Sequence, residues 1–167
     1  MTLVALAGRR LGLEPAYGID GFLSGMARGL GKPVISLETP ESQIALLLQP
    51  TRAASEELIA GTLDELENGR ALRTMQRLAE AWGASQLDEL ANYAQWCDCL
   101  NTTEQRAFQR RLIDERNLVL ADKVAALHRE SGPVFAAVGA LHMPGPQGLP
   151  ALLAARAALH GGAGRVY

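Results

Sequence analysis

Two short apolar runs constrain this chain more than anything else in it. "KPVISLE", ending at Glu38, and "PVFAAV", starting at Pro133, are brief, rich in β-branched or aromatic residues and opened by a proline. That is the composition of a buried strand. Nearly everything around them is patterned as helix. Ile19, Phe22, Leu23, Met26, Ala27 and Leu30 recur at helical spacing, and Gly31 supplies the stop. Thr39 and Pro40 read as an N-cap and a first-turn proline for a helix over Glu41 to Gln49. From Thr51 to Leu100 the pattern is helical, broken at Asn68-Gly69 and near Gly83, with Ser85 and Asp88 spaced as a capping box. A long helix runs from Thr103 to about Glu130, and a last one covers Leu149 to Ala158.

Two apolar strands flanked by helices favour parallel neighbours. The expected fold is α/β: mostly helical, with a small, mainly parallel sheet of two or three strands. A chain of 167 residues with 48% apolar content fills one core, so a single domain over 1–167 is expected, with 50–130 as a helical insertion between the strands. If the strands are parallel, their carboxyl ends share an edge, which is where ligands bind in open α/β sheets. That edge would carry Glu38 after the first strand and Gly139 to His142 after the second.

Charge and composition exclude several functions. A net charge of −2, with no basic stripe, argues against nucleic acid as a partner. No run approaches the roughly 18 apolar residues that span a bilayer. "MTLVALAGRRLGLEP" has its arginines after the apolar run rather than before it, so it reads as a short amphipathic helix rather than a signal peptide, and a cytoplasmic location is expected. Cys97 and Cys99 have one residue between them, a spacing that makes a strained disulfide, and no second Cys/His cluster completes a zinc site. The pair is expected to be structural or incidental.

Six residues stand out chemically. Glu38 can serve as a metal ligand, a general base or a partner for a buried arginine, or simply as an acid favoured by the dipole of the following helix. His142 can ligate a metal or shuttle protons, or it can be a loop histidine bonded to backbone. Gly139 permits a close backbone approach or an unusual φ where the strand ends. Arg116 and Asn117 fall on the buried stripe of the long helix, through Ile113, Leu120, Val124 and Leu127. An arginine there needs a carboxylate or a bound anion, Glu38 being one candidate, unless it snorkels at the stripe's edge. Asp20 reads as a first-turn helix acid.

"YGIDGFLSGMARGLGKPVISLETPESQ", "FQRRLIDERNLVLADKV" and "VFAAVGALHMPGPQGLPALL", in that order, resemble the C-terminal part of the TraB/PrgY/GumN family, nearest its GumN branch. The likeness covers roughly Leu11 to Ala155. The family looks related to the Tiki proteases and to erythromycin-esterase and ChaN-like proteins, which implies a metal-dependent hydrolase, peptidase-like or esterase-like. GumN itself implies a link to exopolysaccharide biosynthesis.

In such proteins an early and a late GxxH motif bring histidines to a site shared with glutamates and an arginine. The resemblance makes Gly139 to His142 the late motif, Glu38 the glutamate of the LET motif, and Arg116-Asn117 the RN pair. Catalytic roles are thereby implied for Glu38, Arg116 and His142, ligand binding for Asn117, Gly139 and Gln43, and metal ligation for His142 and Glu38. The early GxxH is absent, since His128 and His160 each have alanine three residues before them. The end, "ARAALHGGAGRVY", also departs from the family's Gly-aromatic-x-Val strand.

The expectation is a truncated, weakly active or inactive hydrolase with a weakly bound divalent metal. It would act on a peptide, ester or saccharide-related ligand and pair as a homodimer to cover exposed apolar surface. The alternative is a non-catalytic binding or regulatory module in which the polar cleft is structural or grips an anion.

Overall fold

Residues 2–159 are described by a computed structural model. The chain divides into two compact units between Ala84 and Ser85.

The first unit is built from α1 (Thr2–Ala7), α2 (Ile19–Gly29), α3 (Pro40–Leu47), α4 (Arg52–Glu67) and α5 (Arg70–Gly83). α1 carries on into a short 3-10 turn and closes at Gly12, in the left-handed region at φ 75°. α2 ends as its composition requires: the Lys32 N–H reaches back to the Ala27 carbonyl at 2.9 Å and the Gly31 N–H to Arg28 at 3.0 Å, with Gly31 left-handed. Asp20 is an acid in its first turn. At α3, the Thr39 hydroxyl accepts from the Ser42 N–H and the Ser42 hydroxyl accepts from the Thr39 N–H, with Pro40 in the first turn. α4 and α5 pack as a hairpin about Asn68-Gly69, where the Asn68 side chain accepts from the Arg70 N–H and Asp64 pairs with Arg70 at 2.6 Å.

The second unit contains α6 (Leu87–Ala91), α7 (Tyr93–Trp96), α8 (Thr103–Arg110), α9 (Arg116–Ser131) and α10 (Leu149–Leu159). α8 opens with a capping box between Thr102 and Gln105. Between α8 and α9 the helix does not stop; Arg111–Glu115 forms a π-helical turn, so the run from Thr103 to Ser131 is a single helix with one widened turn. Its inner face presents Asn117, Leu120, Ala121 and Val124, and α10 lies against it with Leu149 buried. Arg156 on α10 donates to Asp122 at 2.7 Å and to the Leu118 carbonyl at 3.2 Å, tying the two helices together. Cys97 and Cys99 are joined as a disulfide.

Two expectations are corrected. The α/β fold with a parallel sheet is not what forms: among the described residues every regular element is helical and no strand is present. The segments after Pro33 and Pro133 are irregular chain, and their apolar side chains are exposed, Ile35 at 58% and Phe135 at 82%. The physical reason is that β-branched composition only suits a segment to a pleated, half-buried surface; a strand also needs a neighbour to take its N–H and C=O groups. One run lies in the first unit and the other in the second.

The second correction concerns Ser85 and Asp88, which form no capping box. Gln86 is the N-cap of α6 without a side-chain bond, and Ser85 is itself left-handed at φ 55°. The altered C-terminal stretch, from His160 on, lies outside the described residues.

Candidate functional site

Among the described residues the buried polar side chains are Asn117 and His142, which meet in the second unit. The chain leaves α9 at Gly132, runs without regular structure to Gly139, and makes one 3-10 turn over Ala140–His142 in which the His142 N–H donates to the Gly139 carbonyl at 2.9 Å. That turn packs against α6 and against the π-helical turn ahead of α9. His142 is only 7% exposed. A buried imidazole requires partners for its polar atoms. Its Nδ1 lies 2.7 Å from Oδ1 of Asn117, which is 1% exposed in the first turn of α9.

The amide of Asn117 does more than meet the ring. Its Nδ2 donates to the carbonyl of Gln147 at 2.7 Å and to the carbonyl of His142 at 3.3 Å. One side chain therefore holds both ends of the loop 143–147 as well as the ring. The loop is tight for a further reason: a Cβ on Gly148 would fall 2.2 Å from the Met143 oxygen and 2.6 Å from the Pro144 oxygen, so the backbone folds onto a place only glycine leaves open. Gly145 takes φ 79° in the same loop.

Each residue singled out by sequence has a definite place. Asn117 and His142 are brought together and buried. Arg116 precedes Asn117 on α9 but turns aside, half-buried, with Nη1 donating to the Leu112 carbonyl at 3.2 Å. Gly139 has ordinary extended angles, φ −58° and ψ 144°, and a Cβ there would sit 3.6 Å from Cδ2 of His142, which is normal contact. Neither an unusual φ nor a forbidding approach is therefore imposed at Gly139.

Glu38 and Gln43 meet in the first unit, where the Gln43 amide donates to the Glu38 carboxylate at 3.4 Å and Ser36 Oγ donates to the Glu38 carbonyl at 2.5 Å. The neighbouring Glu41, in the first turn of α3, has its carboxyl held below the ordinary value by its own backbone N–H and then by the Thr39 hydroxyl. The sheet edge that would have carried Glu38 and His142 together is absent, and the two belong to separate units.

Three features of this centre were not foreseen. Gly148 lay in a stretch so rich in Gly and Pro that no position stood out. The loop ends that Asn117 grips are backbone carbonyls, which carry no sequence signature. The π-helical turn gives one residue of offset to the helix just ahead of Arg116-Asn117, and such turns recur at functional sites.

The TraB/PrgY/gumN family pattern matches residues 1–158. The chain belongs to the TraB/PrgY/gumN family. Among its relatives, the protein YbaP of Escherichia coli (strain K12), named there as uncharacterized, is 34% identical over 156 residues, covering 92% of this chain and 54% of that protein. YbaP of Shigella flexneri matches with the same figures. The chain thus spans about half the length of the curated relatives it matches. No solved structure matches it.

The divalent metal expected from the sequence motifs would need more than one ligand, since catalytic zinc-type sites take three protein ligands with an open position. Among the described residues no group of three or more His, Cys, Asp or Glu side chains is placed to hold an ion. His142 supplies one imidazole, with its Nδ1 already engaged by Asn117. The donor set described does not make a complete metal site, and no chemical step is routed through a metal. Among the described residues, no helix is long and apolar enough to cross a membrane.

Proposed function

We propose that this TraB/PrgY/gumN protein is a weakly active or inactive relative of metal-dependent hydrolases of the peptidase or esterase kind, with His142 as its working group. The observation that carries the reading is the burial of an imidazole whose Nδ1 is engaged by a buried amide. That arrangement fixes the ring in place and suits it to accept a proton, donate one or take part in ligation. The hydrolase class is what the resemblance in the sequence motifs implies, and family membership is consistent with it. Arg116, beside this centre on α9, is the cation proposed to meet an anionic or carbonyl part of a ligand; Glu38, hydrogen-bonded by Gln43 in the first unit, is a separate candidate acid. Any divalent ion binds weakly on this reading, because one imidazole contributes a single ligand.

The test is metal titration of the purified full chain with zinc and with manganese, followed by His142→Ala. The expected result is a weak binding event that disappears in the variant while the fold is kept. Binding of equal strength in His142→Ala would defeat the reading. So would hydrolysis of peptide or ester probes that persists unchanged in that variant.

A further inference from the structure

Asn117 and His142 form a pair whose hydrogens can be placed from the heavy atoms alone. An amide side chain has an oxygen that only accepts and a nitrogen that only donates. The Asn117 nitrogen lies 2.7 Å from the Gln147 carbonyl oxygen and 3.3 Å from the His142 carbonyl oxygen, and neither of those oxygens can donate. Turning the amide over would aim its oxygen at two carbonyl oxygens in a buried place. The orientation with the nitrogen toward the loop is therefore the only one that satisfies the group, and it leaves Oδ1 facing the ring nitrogen at 2.7 Å. An oxygen that can only accept requires a proton on Nδ1.

We propose that Asn117 is a positioning residue that holds the neutral His142 ring as its Nδ1–H tautomer, so that Nε2 carries the lone pair the site works with. The choice matters because the two nitrogens are not equivalent, and the bond made by one sets what the other can do. With Nδ1 protonated, Nε2 accepts a proton or donates its lone pair to an electrophile; in the opposite tautomer it could only donate a hydrogen bond. The same amide fixes the ends of the loop 143–147, so the ring's tautomer and the loop's closure depend on one side chain. The inference deepens the reading of His142 as the working group, and its readout is independent of any metal or activity measurement.

The experiment is nitrogen-15 NMR of the histidine-labelled full chain above the pH at which the His142 ring titrates, with His142→Gln used to assign its signals. The expected pattern is a protonated-type Nδ1 and an unprotonated-type Nε2, favoured over the other tautomer by roughly tenfold, the ratio that a net hydrogen bond of ordinary strength supports. Asn117→Leu removes the acceptor and is expected to shift the population toward Nε2–H. An Nε2–H tautomer in the unmodified protein overturns the proposal outright, whether or not any variant folds. A folded Asn117→Leu protein that keeps Nδ1–H also overturns it. Loss of metal binding or of hydrolysis would instead bear on the proposed function and leave the tautomer standing.

Discussion

The two units use similar apolar material in opposite ways. In the first, the α2 stripe of Ile19, Phe22, Met26 and Leu30 is exposed, Phe22 at 68%, and α2, α3 and α4 bury no residue at all. In the second, α9 buries Leu120, Ala121 and Val124 under α10, and the same stripe continues into a buried amide bonded to a buried imidazole. A helix with a perfect apolar period is thus no guarantee of a core, because burial needs a second face to meet the first. The second unit has that face, and with it the low-dielectric setting in which a polar pair is held firmly.

The largest effect should separate the units by truncation. Leu120→Ala, at a side chain 3% exposed, is expected to cost about 2–5 kcal/mol in the second unit. Phe22→Ala in the first should fall within about 0.5 kcal/mol despite removing a larger side chain. Chemical denaturation of each variant measures both, and a costly Phe22→Ala would mean that the α2 stripe is covered after all. Sedimentation of the same Phe22→Ala protein tests the expected homodimer, whose apparent mass should fall if this stripe forms its interface.

Adding a methyl group sharpens the contrast in the other direction. Gly148→Ala drives a Cβ into the Met143 and Pro144 carbonyls and is expected to cost about 1–3 kcal/mol with loosening of the loop, read by hydrogen exchange of the His142 N–H. Gly21→Ala on α2 meets nothing within 4 Å and should gain up to about 1 kcal/mol of helix stability.

Removal of a cap is next in size. Thr39→Ala takes away the acceptor for the Ser42 N–H and is expected to cost about 1 kcal/mol, confined to α3. Because the Glu41 carboxyl is held below its ordinary value of 4.5, its contribution is fully present above that value and is lost as pH falls through the lower, folded-state value. Exchange of the α3 amides should therefore quicken in that acidic window, and less steeply in Thr39→Ala. Smallest of all, Asp122→Ala, whose side chain is 72% exposed, is expected to cost below about 1 kcal/mol, since most of its charge stays in water. Thermal melts in low and high salt would show that small difference shrinking.

Much of the helical content was legible because its signals are local. The Gly31 stop, the Thr39-Pro40 start, the Asn68-Gly69 break and the Thr103 start each depend on residues within a few positions of one another. The lack of strands among the described residues was not legible, since "KPVISLE" and "PVFAAV" carry strand-like residues but a ladder requires a partner segment that composition cannot name. At the site, the motifs singled out Asn117 and His142, which meet, and Glu38 and Gln43, which meet elsewhere. Sequence gave more weight to Arg116 than to Asn117, because a charge on an apolar stripe looks the more anomalous. The fold buries the amide and leaves the arginine half-buried, reaching a backbone carbonyl.

By itself, the sequence determined where helices start and stop, that no described helix spans a membrane, and which family the chain belongs to. Those properties follow from short-range backbone chemistry and from motif order, both written along the chain. Only the tertiary structure decided that the apolar runs form no strand among the described residues, that Asn117 reaches His142 across 25 positions, and that Gly148 is the glycine the loop cannot replace. Each of these depends on which atoms come within a few ångströms of one another, and packing alone sets those distances.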